Sequence, residues 1–225
     1  MSHRIIYPLT EQTRKRLEEI IQRVRNQPPA TNHADDYAET VIEISDQSID
    51  FIFLETAELL QLGPWATRIV HLGTAASKSG LHMIIRKVVH GLTSEQFGPL
   101  TEFLEEMLII RENKAYFGIP ISDDFAGRLY QNIELTRKAP PPTQHTPLCM
   151  ELQKELLDVV LDYGFLEAAR RVDAGKWAFR IIHWGIGLVE KAVHGMIHKI
   201  MPSLNDQEIL LLSDRLEMLL MIQNH

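Results

Sequence analysis

The stretch DFIFLETAELLQLGPWATRIVHLG at residues 50–73 returns, without a gap, as DYGFLEAARRVDAGKWAFRIIHWG at residues 162–185. Twelve positions are identical, from Asp50 and Asp162 to Gly73 and Gly185. The same offset of 112 holds outward from this stretch to both ends: 33 of 112 residue pairs are identical, where unrelated sequence would give roughly 6–7%. Pro28-Pro29, Thr31 and His33 match Pro140-Pro141, Thr143 and His145. The period is too long for a solenoid repeat. The sequence therefore reads as a duplicated and fused gene, with units at residues 1–112 and 113–225. Two such copies are expected to pack about a pseudo-two-fold axis, as a homodimer would.

Within each unit the punctuation predicts four helices. In the first they span about Thr10–Asn26, Ala34–Leu62 and Trp65–His90, and a fourth begins after Thr93 or Ser94 and reaches about Glu112. Thr10 is the expected N-cap, Pro28-Pro29 a stop, Gly63-Pro64 a tight turn and Gly91 a C-terminal residue. The second unit gives about Ser122–Lys138, Pro147–Ala174, Lys176–Met201 and Asn205–Gln223. No stretch alternates apolar and polar residues clearly enough to read as a strand. The expected fold is all-α, a tandem duplication of a four-helix repeat with about eight helices in all.

Helix 65–90 and its counterpart carry small residues seven apart, Ala66, Gly73 and Gly80, then Ala178, Gly185 and Ala192. A mid-helix glycine costs about 1 kcal/mol against alanine, so something must offset it. A close helix crossing at the pseudo-dyad would do so, and so would a groove kept open for a ligand. Trp65 and Trp177 open these helices and read as core anchors.

The totals exclude several classes. A formal charge of −7, from 23 basic and 30 acidic residues, lacks the footprint of a general nucleic-acid binder. The single cysteine, Cys149, permits neither an intrachain disulfide nor a Cys-rich zinc site. No membrane span is expected, because the apolar stretches are broken by Arg86, Lys87, Asp214, Arg215 and Glu217. Met1-Ser2-His3-Arg4 does not open a signal peptide, so the expected address is the cytoplasm. Phosphate loops, dinucleotide fingerprints and nucleophile elbows are absent, and no catalytic residue or cofactor is implied.

Two sets of polar residues recur. The helix at 34–62 carries an acidic stripe, Glu39, Glu43, Asp46 and Asp50, repeated as Glu151, Glu155, Asp158 and Asp162. The stripe is a solvated face, or one that binds a cation or takes a basic partner, the latter through Asp46, Asp50, Asp158 and Asp162. The hairpin sets His82 opposite Asp46 and His194 opposite Asp158. Glu55 and Glu167 instead fall in the apolar arc of the helical wheel, and an inward carboxylate needs a partner. Folding the hairpin brings His71 and Arg68 to Glu55, and His183 and Arg180 to Glu167. Such clusters serve as buried ion pairs, as ligand or acid–base sites, or as a metal site shared across the pseudo-dyad. The Glu-x-x-His pair of di-iron bundles is missing, so the metal, if any, is unspecified.

The leading expectation is an interaction or regulatory protein that binds a protein partner, with a homo-oligomer also compatible. The alternative is a metal- or small-molecule-binding protein, of which a metal-dependent hydrolase would be one form, using Glu55, Arg68, His71, Glu167, Arg180 and His183.

Overall fold

A computed structural model describes residues 2–26 and 33–223; Pro28-Pro29 and Thr31 lie outside the described residues. The Thr10 hydroxyl accepts from the Thr13 N–H at 3.2 Å and starts helix α1, Glu11–Asn26. Helix α2, Ala34–Ile49, continues through a π-helical turn, Asp50–Leu54, into α3, Glu55–Leu59. Helix α4, Pro64–Val89, folds back along α2. Helix α5, Phe97–Met107, follows a short 3-10 turn that starts at a capping box made by Thr93 and Gln96.

The second half repeats this plan. Ser122 caps α6, Asp123–Lys138. Helix α7, Thr146–Leu161, runs through a π-helical turn, Asp162–Glu167, into α8, Ala168–Arg171. Helix α9 spans Lys176–Ile200, and α10, Asp206–Leu219, starts at the capping box of Asn205 and Glu208. Each such cap contributes about 1 kcal/mol. With each long helix and its π turn counted as one, the described residues hold eight helices.

The fold is mostly helical, as the all-α expectation has it, but among the described residues four strands that the sequence does not announce add one small antiparallel sheet. They are β1 (Ser2–Leu9), β2 (Leu108–Arg111), β3 (Lys114–Ile121) and β4 (Leu220–Gln223), in the order β2-β3-β1-β4. The helices expected to reach residues 112 and 223 stop at Met107 and Leu219. Three physical features hid the strands. In β3 the consecutive residues Phe117, Gly118 and Ile119 are all buried, so no period of two shows. Pro8 and Pro120 speak against strands in general. Here β4 covers only Ser2–Ile5 of β1, and β2 only Lys114–Phe117 of β3, so no outer strand needs their missing N–H. Finally, β2 and β4 are four residues each, too short for periodicity.

The halves interlock. Glu112 and Asn113, with φ of 51° and 62°, make a two-residue hairpin turn that lays β2 of the first half on β3 of the second. In return β4 lies on β1. The elements recur in the same order at the 112-residue offset, and the β1–β3 register pairs Ile6 with Gly118, which are themselves 112 apart. One cluster of buried apolar residues draws on both halves.

Helices α4 and α9 pack antiparallel through the small-residue seam. Gly73 meets Met196, Gly80 meets Val189 and Gly185 meets Ile84. These side chains fill the space that the glycines open. Among the described residues no helix is long and apolar enough to cross a membrane.

Candidate functional site

The antiparallel hairpin of α2 and α4 fixes the acidic stripe. His82 Nε2 lies 2.8 Å from Asp46 and Lys78 Nζ lies 2.7 Å from Asp50. In the second half His194 lies 3.3 Å from Asp158, and Arg170 lies 3.8 Å from Asp162. Each aspartate expected to take a basic partner therefore already faces a basic side chain of its own chain. Further along, Arg16 pairs with Glu39 and Glu43, and Arg128 with Glu155. Hydrogen bonding from Arg128 holds the Glu155 carboxyl below its ordinary value.

Glu55 does not point inward. Its side chain is 55% exposed and receives a 3.0 Å hydrogen bond from Arg215 of α10, not from His71 or Arg68. The π turn is the cause. One extra residue in a turn rotates everything after it by about 100° relative to an α wheel. That swings Glu55 from the apolar arc toward α10. Glu167 closes the second π turn and pairs with Arg170 and Arg171, each at 3.3 Å, not with His183 or Arg180. The expected Glu–His–Arg clusters are thus not assembled. Among the described residues, no three His, Cys, Asp or Glu side chains converge as a metal site requires.

The other four residues of those clusters share one surface. Arg68 and His71 on α4, and Arg180 and His183 on α9, are exposed. Around them lies an apolar strip that the sequence reading misplaced. Trp65 and Trp177 are not core anchors; they are 60% and 59% exposed, and Trp184 is 57% exposed. Trp65 and Leu72 on α4, and Trp177, Trp184 and Leu188 on α9, recur at spacings of seven and four on one side of each helix. The opposite side, with Ala66, Val70, Leu81 and Ile84 on α4 and Ala178, Ile182, Val189 and Val193 on α9, is buried. The Trp177 ring lies beside Gly91 just past the end of α4, so the two exposed sides adjoin.

Charge is sorted onto this surface. Helix α4 holds Arg68, Lys78, Arg86 and Lys87 and no acidic residue; α9 holds Lys176, Arg180, Lys191 and Lys199 against Glu190 alone. Eight cations against one anion give the pair a net +7 in a chain of net −7. Lys78 is held by Asp50. The other seven are exposed and have no carboxylate partner among the described residues. Half-exposed tryptophans and unpaired arginines are the residue types that dominate binding energy at interfaces. The helical spacing of Trp65, Leu72, Trp177, Trp184 and Leu188 was readable in the sequence. Their exposure was not, because either side of an amphipathic helix with this many apolar residues can be the buried one.

No family model matches the chain, and no curated protein or solved structure matches it either.

Proposed function

We propose that this protein is a helical interaction module that docks an acidic protein partner on the exposed face of α4 and α9. One observation carries the reading: seven unpaired Lys and Arg side chains surround three half-exposed tryptophans on adjoining helices. An acidic amphipathic segment complements both features, its apolar side covering the tryptophans and its carboxylates meeting the cations. A second copy of the chain is a poor occupant, since face-to-face pairing would oppose two surfaces of the same sign. The partner expected from the acidic stripe was basic. The basic side chains that already face those aspartates favour a partner of the opposite, acidic sign. A labelled acidic Leu/Glu helical peptide tests this by fluorescence anisotropy. It should bind the chain and be released by salt, and Arg68→Glu with Arg180→Glu should abolish binding. Binding that survives the charge reversal removes this reading.

The same reading takes the chain as a fused duplicate with a pseudo-two-fold axis through the sheet and the α4–α9 crossing. It is supported by the 112-residue offset of the elements, a strand order that reads alike from both ends, and the paired contacts Gly73–Met196 and Gly185–Ile84. The axis doubles the docking face, which joins one helix from each half. A chain ending at residue 112 should then pair with itself in solution, exchanging its last strand. A soluble monomer would contradict this.

A further inference from the structure

Two cavities flank the α4–α9 crossing, and they are counterparts. Each of the 15 residues lining the smaller, of about 520 Å³ counting its open mouth, lies 112 positions from one lining the larger, of about 950 Å³ on the same measure. Both are walled by a π turn, Ile52 and Phe53 in the larger and Gly164 and Phe165 in the smaller. Wide π turns gather at functional sites.

The two walls differ in chemistry. The smaller cavity has Phe103, Val41 and Ala168 where the larger has Arg215, Gln153 and Thr56. Tyr7, which lines the larger one, has the buried Ile119 as its counterpart. Drift in a core would replace apolar residues with apolar ones, yet here polar groups enter one cavity of two. Two of them are unsatisfied. Tyr7 is 1% exposed, and its hydroxyl has no hydrogen-bond partner among the described residues. Burial pushes that phenol up, so it is a neutral donor. The Arg215 side chain is 12% exposed. Its Nη2 donates to the Phe51 carbonyl and to Glu55, each at 3.0 Å, and its guanidinium lies 3.8 Å from the centre of the Phe51 ring. Its Nε is buried with no partner among the described residues. Buried donors without acceptors are costly and rare.

We infer that the larger cavity binds a small amphiphilic carboxylate, its aliphatic body among Ile52, Leu156, Val160 and Ile200 and its head accepting from the Tyr7 hydroxyl and Arg215 Nε. An apolar lining with a few polar groups is what such sites have. A carboxylate is the head group that accepts from a phenol and a guanidinium together. Glu55 occupies Nη2 and leaves Nε for the ligand. This site is separate from the α4–α9 docking face and does not depend on it.

Calorimetric titration of the full chain with decanoate tests the inference, with decanol as the control. One decanoate should bind per chain, at least about tenfold more tightly than decanol. Tyr7→Phe should weaken decanoate about tenfold and leave decanol unchanged. Because the hydroxyl has no partner among the described residues, the variant should unfold at the same temperature or higher, which separates lost binding from lost fold. Glu55→Gln should tighten decanoate by freeing the guanidinium. Equal affinity for decanol, two bound molecules per chain, or unchanged decanoate binding by Tyr7→Phe would each overturn it.

Discussion

The acidic stripe on α2 and α7 and the basic face on α4 and α9 carry charge of opposite sign, and they differ in what is left over. Asp46, Asp50, Asp158 and Asp162 each face a basic side chain of the same chain, whereas seven of the eight Lys and Arg side chains on α4 and α9 face no carboxylate among the described residues. The stripe faces neighbouring helices, so folding itself supplies its partners. The α4–α9 pair has its buried sides toward the core and its exposed sides toward solvent. The density of like charge in a sequence therefore says little about where a partner docks; the charge left unpaired after folding says more.

A series of variants breaks or sharpens this comparison. The largest effect is expected on binding: reversing Arg68 and Arg180 to Glu should weaken an acidic peptide by at least ~100-fold, about 2.7 kcal/mol, at unchanged thermal stability. Trp184→Ala should cost about 2 kcal/mol of the same binding energy, as a half-exposed interface tryptophan does. Gly185→Ala should cost the fold about 1–3 kcal/mol, because a Cβ there overlaps Ile84. Gly73→Ala should cost less, since the atom it meets is the flexible Met196 thioether, 3.0 Å away. Chemical denaturation of the pair measures the difference, and equal losses would deny that the seam is packed unequally.

The smallest effect is expected on the acidic side. Replacing Asp46, Asp50, Asp158 and Asp162 with Asn should leave peptide capture intact and lower stability by no more than about 1 kcal/mol for each pair. Capture lost in this variant would return the docking role to the stripe. Acid titration probes the same side. Glu155 has a depressed folded-state pKa, so the stability it contributes with Arg128 is present at neutral pH and lost as pH falls through that value. Arg128→Ala should flatten this part of the stability curve, by a modest amount because the pair is partly exposed.

The sequence was informative about helices and poor about what rotates or hides them. The eight helices followed from caps, Gly-Pro turns and the internal match, and the Asp46–His82 and Asp158–His194 pairs followed from the hairpin register. Glu55 and Glu167 were misplaced because an α-helical wheel assumes a constant turn, and one extra residue in a π turn breaks that assumption. The strands were missed because β1 and β3 pair across more than a hundred residues and bury both faces. Trp65 and Trp177 were read as core because tryptophan usually is, and only the three-dimensional packing shows that Ala66 and Ala178, one residue along, take the inward position.

All three tryptophans of the chain, Trp65, Trp177 and Trp184, lie on the α4–α9 face, so their fluorescence reports that surface without a label. Titrating the chain with the acidic Leu/Glu peptide at low salt should shift the emission to the blue, and added salt should reverse the shift. Emission that stays red while the peptide binds elsewhere, or that shifts only on anionic lipid vesicles, would contradict the account.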